Sequence, residues 1–181
     1  MTNYKPQILI TWVSGSWKSS IMNWLLAMYA EDFWKPIQYT TRAKRNDMEV
    51  DDYVFITKAQ FFKKLENWDF IEFTEYNNNY YAISRFSDYG RSNIFIVEPV
   101  WRASLKKHFL QNNIPFKSYF VDISKEEAKE RMMGRWDSVK TIEQRLDDFK
   151  YFTLEAWDYE LDGRLEVRKN VNHIARSVWV S

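Results

Sequence analysis

The chain has 181 residues with 26 basic and 25 acidic side chains, a net charge of +1, and is long enough to bury a substantial apolar core. So even a balance provides no global field to draw the protein to nucleic acid or a membrane surface, and any anion site must be local. The absence of cysteine excludes disulfides and thiolate metal sites, and two histidines argue against a zinc centre.

No run reaches the roughly 20 apolar residues of a membrane span, and the N-terminus "MTNYKPQILIT" carries no leader pattern. The expectation is a soluble, cytoplasmic protein. One count is abnormal: there are 4 glycines and 9 tryptophans, where average usage predicts roughly 13 glycines. Glycine and tryptophan together make up the number expected of glycine alone.

In chain order, Gln7–Thr11 ("QILIT") reads as a buried strand and Lys18–Ala30 ("KSSIMNWLLAMYA") as a helix, with a tight polar loop between them. Residues 35–87 differ in character, with short alternating runs ("DYVFIT", "FIEFTEY", "NYYAIS") that suit a small mixed-sheet lobe. Asn93–Val97 ("NIFIV") is a second buried strand, which leads into Glu98 and is stopped by Pro99. Lys117–Val121 is a third, followed by a helix opening at Ser124, where Glu127 completes an S-x-x-E capping box. A further helix starts near Ser138 and carries Ile142, Leu146 and Phe149 at helical spacing. Strands alternating with helices predict an α/β fold with a parallel sheet flanked by helices.

Residues 12–19, "WVSGSWKS", have the spacing G-x-x-x-x-G-K-[ST] once Trp12 and Trp17 are read as glycine. A strand, loop and helix in that order aim amide groups and a helix N-terminus at phosphate. Taken literally, the indole at 17 stands in or beside the phosphate nest, and the fragment alone suits a packed strand–helix turn equally well. "TTRAKR" sets Arg42 and Arg45 three apart beside two hydroxyls, a fit for a doubly charged phosphate, although the fragment alone reads better as a solvated basic turn. Glu72 lies among Phe70, Ile71 and Phe73, a costly setting for a carboxylate without partners. Glu98 closes an apolar strand, where an open α/β sheet places ligand-facing acids. Arg131, Arg135 and Arg145 lie in or beside the two late helices, as either a solvated face or a mobile lid.

Together "YTTRAKR", "EVDDYVF", "NWDFIEF", "NNNYYAIS", "IVEPVW" and "RMMGRWDSVKTIEQRL" resemble guanylate kinase over nearly the whole chain. The resemblance implies a single domain over 1–181 with a P-loop NTPase-type parallel sheet. Its core would be 1–34, 88–123 and 151–181, its GMP-binding lobe 35–87 and its helical lid 124–150. It implies ATP as phosphoryl donor, GMP or dGMP as acceptor, Mg²⁺ as cofactor and a place in purine nucleotide metabolism, with neither nucleic acid nor membrane as partner. The ATP phosphate loop would be Trp12, Val13, Ser14, Gly15, Ser16, Trp17, Lys18, Ser19 and Ser20. GMP would be held by Gln38, Arg42, Arg45, Tyr53, Glu72, Tyr81 and Glu98. Lys18, Arg135 and Arg145 would be catalytic, Arg131 and Arg135 would belong to the lid, and Ser19 and Glu98 would hold the metal, directly or through water.

The chain departs from the pattern at Gln38, where the family has a serine ahead of TTR, and at Ile83, where it has a hydroxyl two residues after the second tyrosine. These departures leave open a kinase of another phosphorylated acceptor, and Trp12 and Trp17 taken literally leave a second alternative, an inactive guanylate-kinase-like module that binds a protein partner. Trp12, Trp17, Trp34, Trp68, Trp101 and Trp136 all fall where the family, or local turn chemistry, favours glycine. UGA lies one base from the glycine codon GGA and is read as glycine in some genetic codes and tryptophan in others. The expectation is therefore glycine at these sites in the natural product, and kinase activity is conditional on glycine at 12 and 17.

Overall fold

A computed structural model of the chain describes residues 5–12, 18–44, 53–76, 78–85, 90–134, 136–152, 154 and 158–179. The chain divides into two compact units, residues 1–34 with 89–181 and residues 35–88.

The first unit is a five-stranded parallel sheet of β1 (Gln7–Trp12), β2 (Phe33–Trp34), β7 (Ser92–Ile96), β8 (Phe116–Asp122) and β9 (Asp158–Asp162), in the order β2-β7-β1-β8-β9. The sheet is buried on both sides, which is why its strands read as unbroken apolar runs. Ile8 and Ile10 pack with Ile94, Tyr119, Val121 and Leu161 beneath α1 (Lys18–Met28) and α6 (Val167–Trp179), through Ile21, Leu25, Val171 and Ile174. Phe95, on the other side of the pleat, meets Phe109 of α3 (Pro99–Gln111), with ring centroids 5.6 Å apart. Pro99 both stops the strand and starts this helix, since its missing N–H costs nothing at a first helical position.

Two further helices, α4 (Lys125–Gly134) and α5 (Val139–Asp147), have a small core of their own made by Ile123, Ala128, Met132 and Ile142. The expected capping box forms: Glu127 N–H donates to Ser124 Oγ at 3.1 Å, and Ser124 N–H donates to the Glu127 carboxylate at 3.3 Å. Ser138 caps α5.

The second unit is a four-stranded mixed sheet of β3 (Gln38–Thr40), β4 (Val54–Phe55), β5 (Phe70–Tyr76) and β6 (Asn79–Ser84), in the order β4-β3-β6-β5. One face is covered by α2 (Lys58–Glu66), whose Phe61 packs on Phe70, Ala82 and Tyr80. Thr57 and Gln60 form a reciprocal capping box at the start of α2.

Three helices end alike. At Trp68, Asn113 and Trp136 the backbone turns left-handed, with φ of 59°, 52° and 63°. In each case the left-handed residue donates to the carbonyl three back and the next residue to the carbonyl five back, as in Trp68 to Leu65 and Asp69 to Lys64, or Trp136 to Met133 and Asp137 to Met132. This is the Schellman termination, whose left-handed position ordinarily takes glycine. Both tryptophans are largely exposed, Trp136 at 95%. The expectation of a turn fails at Trp34, which pairs with Asn93 at the end of β2, and Trp101 lies inside α3; neither has positive φ.

Candidate active site

The register of the second unit decides which side chains share a face. Gln38 lies directly opposite Ile83, and Ile83 opposite Glu72, so these three form one rung across β3, β6 and β5 on the same side. Thr40, Tyr81 and Thr74 form the next rung, with Phe55 beside Thr40. Period-2 alternation sends Tyr39, Ala82 and Phe73 to the α2 side, where Phe61 meets Phe73 with ring centroids 6.3 Å apart. The face away from α2 thus carries Gln38, Glu72 and Tyr81 together. Ser84 pairs with Phe70, on the α2 side of β6, so it cannot replace a hydroxyl missing at Ile83.

Arg42 continues this face beyond β3. Its guanidinium lies 6.0 Å from the centre of the Tyr53 ring and 5.6 Å from that of Phe55, and donates to the Ala43 carbonyl at 2.8 Å. Tyr53 and Tyr81 meet edge to face at 6.0 Å. The two hydroxyls before Arg42 have structural roles: Thr40 Oγ1 accepts from the Arg42 amide at 3.1 Å and Thr41 Oγ1 from the Tyr80 amide at 2.9 Å. They fix the turn that places the arginine, a role that the bare spacing of "TTR" does not reveal. The result is a cation beside the rings of Tyr53 and Phe55, with the phenol of Tyr81 in turn against Tyr53, chemistry suited to a phosphate monoester.

In the first unit all strands are parallel, so their carboxyl ends share one edge. Lys18 and Ser19 open α1 just after β1, and Glu98 follows β7 as the residue preceding α3. The last rung pairing β1 with β7 is Ile10 with Ile96, and Trp12 and Glu98 each lie two residues beyond it. Here β1 is flanked by β7 on one side and β8 on the other, the point where an open α/β sheet binds ligands. The Glu98 carboxylate is exposed and makes no bond to its own helix's amides. Among the described residues no three His, Asp or Glu side chains gather as a metal cage. A carboxylate and a hydroxyl supply hard oxygen donors that fit Mg²⁺, which takes its remaining ligands from phosphate and water.

Arg131 donates to the Gly163 carbonyl at 2.9 Å, and Arg145 bonds Asp137 at 2.6 Å. Arg45, Arg135 and loop residues Val13, Ser14, Gly15, Ser16 and Trp17 lie outside the described residues.

The sequence profile described as guanylate kinase matches residues 3–162. A guanylate kinase of Syntrophus aciditrophicus is 30% identical over 159 residues, covering 84% of this chain and 75% of that protein. One from Anaplasma phagocytophilum is 28% identical over 155 residues, covering 81% and 73%. The crystal structure of guanylate kinase from Anaplasma phagocytophilum superposes with a TM-score of 0.67 at 21% identity, over 98% of this chain and 86% of the other. The chain belongs to the guanylate kinase family.

Proposed function

We propose that the chain transfers the γ-phosphoryl group of ATP to GMP or dGMP, giving ADP and the nucleoside diphosphate. The observation that carries this reading is the single face of the small sheet on which Gln38, Glu72 and Tyr81 lie, continued by Tyr53 and Arg42. Arg42, Arg45, Tyr53 and Tyr81 hold the acceptor phosphate, and Glu72 accepts from the N1 and N2 donors of guanine. Lys18 lies along the β- and γ-phosphates of ATP bound on the loop. An acceptor phosphate oxygen bonds the γ-phosphorus as the β–γ bridging bond breaks, with its electrons leaving on ADP. Ser19 and Glu98 would hold Mg²⁺, directly or through water, and the ion would supply neutralisation of phosphate charge. Arg131, Arg135 and Arg145 belong to a lid of residues 124–150; Arg145 exchanges its resting partner Asp137 for the migrating group, Arg135 contacts the same group, and closure excludes water. No helix among the described residues is long and apolar enough to cross a membrane, which accords with a cytoplasmic place in purine nucleotide metabolism.

This activity needs glycine at 12 and 17, because the loop's amides must approach phosphate without a side chain between. Support for reading tryptophan as glycine comes from elsewhere in the fold, from the Schellman terminations at Trp68 and Trp136. The test is to purify the protein from its own source, read residues 8–19 by mass spectrometry, and assay ATP-dependent conversion of GMP to GDP beside AMP, UMP and CMP. The reading is overturned if none of the four is phosphorylated; peptide binding without transfer would then mark an interaction module.

A further inference from the structure

The edge strand β9 sorts its side chains by charge. Asp158 is bonded by Arg102 of α3 and by Ser118, its partner in register on β8, so both strands turn these residues to the α3 side. Period-2 alternation sends Glu160 and Asp162 to that side as well, and leaves Lys117, Tyr119 and Tyr159 on the side of α6. A groove of about 910 Å³ opens there, lined by Lys117 and Tyr159 from the strands and by Lys169, Asn172, His173 and Arg176 from α6. That volume suits a small-molecule ligand.

The groove is basic without compensation. The 13 residues of α6 include Arg168, Lys169 and Arg176 and no carboxylate. No described carboxylate pairs with Lys117, Lys169 or Arg176. Arg168 and Lys169 lie in the first turn, where the helix dipole disfavours cations, so the stability of the helix does not account for them. In a chain of net charge +1, this is a local concentration of positive charge rather than a share of a general excess.

The lining is also held in place. Tyr119 is fully buried; the Tyr159 ring lies 5.4 Å from it, and the His173 ring meets it edge to face at 6.3 Å. Tyr159 nevertheless keeps 48% of its surface exposed. Lys117 donates to the Ser177 carbonyl near the end of α6. Asn172 accepts from the Tyr29 hydroxyl at 3.1 Å, and its own N–H groups have no described acceptor.

We propose that this groove is a second anion site, which takes a small ligand carrying two linked phosphates. Lys169 and Arg176 stand two helical turns apart, roughly 10 Å along one face of α6, with His173 between them. A single phosphate brings about two negative charges and leaves one of the three cations unmatched, whereas two linked phosphates meet Lys117, Lys169 and Arg176 together. The site is distinct from the carboxyl edge that carries Glu98 and the start of α1. Asn170, at the start of α6, bonds the Asp162 carbonyl at the carboxyl end of β9, while Lys117, near the start of β8, bonds the end of the helix; the groove therefore runs down toward the amino edge.

The chain's two histidines make imidazole proton NMR a local probe, since His173 lines the groove and His108 lies on α3, across the sheet. Titration of the full chain with pyrophosphate and with ADP should move the His173 signal saturably and leave that of His108 in place. Lys169→Ala/Arg176→Ala, checked for folding by thermal melt, should weaken both ligands at this signal about 10-fold or more, with kcat/KM for GMP and ATP unchanged. Stacking of the base on Tyr159 should make ADP the tighter ligand by about 10-fold, a margin that Tyr159→Leu removes; equal binding by the wild type would assign the groove to free diphosphate, the other source of the same chemistry. A His173 signal that neither ligand moves, or that moves identically in the double variant, would overturn the proposal and leave the kinase reading intact.

Discussion

Tyr53 and Tyr81 meet with ring planes at 71° and centroids 6.0 Å apart, and the Arg42 guanidinium lies 6.0 Å from the centre of the first ring. The contact joins the segment leading into β4 to the middle of β6, and Thr40, which faces Tyr81, holds the Arg42 amide. One small cluster thereby gathers a cation and two phenols. Arg42→Ala should lower kcat/KM for GMP about 100-fold, as expected for loss of a charge-assisted bond, and Tyr81→Phe about 10-fold. The KM for ATP should move little. A comparable rise in both KM values would show that the cluster does not belong to the acceptor alone.

Glu98 follows β7 two residues beyond its last rung with β1, at the carboxyl edge of the parallel sheet. If it helps hold the metal, Glu98→Gln removes charge but little volume. The Mg²⁺ concentration for half-maximal rate should rise about 10- to 100-fold, with GMP affinity nearly unchanged. Unaltered Mg²⁺ dependence would exclude Glu98 from the metal's surroundings.

At Trp68 and Trp136 a bulky side chain occupies a left-handed backbone, with φ of 59° and 63°, and each indole is mostly exposed. Little packing offsets a conformational cost of about 1–2 kcal/mol at each site. Trp68→Gly and Trp136→Gly should each raise stability by about 1 kcal/mol in urea titration, against the usual direction of a substitution to glycine. Trp101→Gly, inside α3, should instead be destabilising. If all three destabilise, the helix ends are built around tryptophan.

Tyr119 is fully buried, and burial pushes its hydroxyl from 10.0 up to about 12, although the hydrogen bond with Ser177 pulls the other way. Between these values the unfolded chain loses a proton that the folded chain keeps, so stability falls as pH rises from about 10 toward 12, by up to about 2–3 kcal/mol. Below pH 10 this contribution is fully present. Tyr119→Phe should flatten that part of the alkaline limb; an unchanged slope would assign the loss to other groups.

Much of the first unit was legible in the sequence, because strands buried on both faces announce themselves as apolar runs and Ser124 with Glu127 spells its own cap. Three helices were missed for identifiable reasons. The cap of α2 is written T-x-x-Q at Thr57–Gln60, but lies among alternating runs that read as strands. Pro99 signals a strand's end as readily as a helix's beginning. In α6 the buried Val171, Ile174, Ala175 and Val178 do carry the i, i+3, i+4, i+7 stripe of an amphipathic helix, a signal that was available and not used. Residue types at the site could be named from sequence, but the rung joining Gln38, Ile83 and Glu72 could not, since register is set by long-range pairing and one residue of slip reverses every face.

Asp158 opens β9 and its side chain is fully buried, with Arg102 bonded at 2.8 Å and Lys106 at 3.1 Å. The Ser118 hydroxyl is bonded to the same carboxylate. Two cations from α3 and a hydroxyl from β8 thus converge on the edge strand. Attraction between buried charges roughly repays their desolvation, so the cluster as a whole adds little net stability, whereas removing one member exposes the cost of the rest. Asp158→Ala should therefore destabilise by about 3–5 kcal/mol, enough to unfold a marginal domain. The double variant Asp158→Leu/Arg102→Met, which withdraws charges of both signs, should recover much of that loss. If the double variant is as unstable as the single one, the ion pair is a net source of stability in this sheet and the desolvation argument fails here.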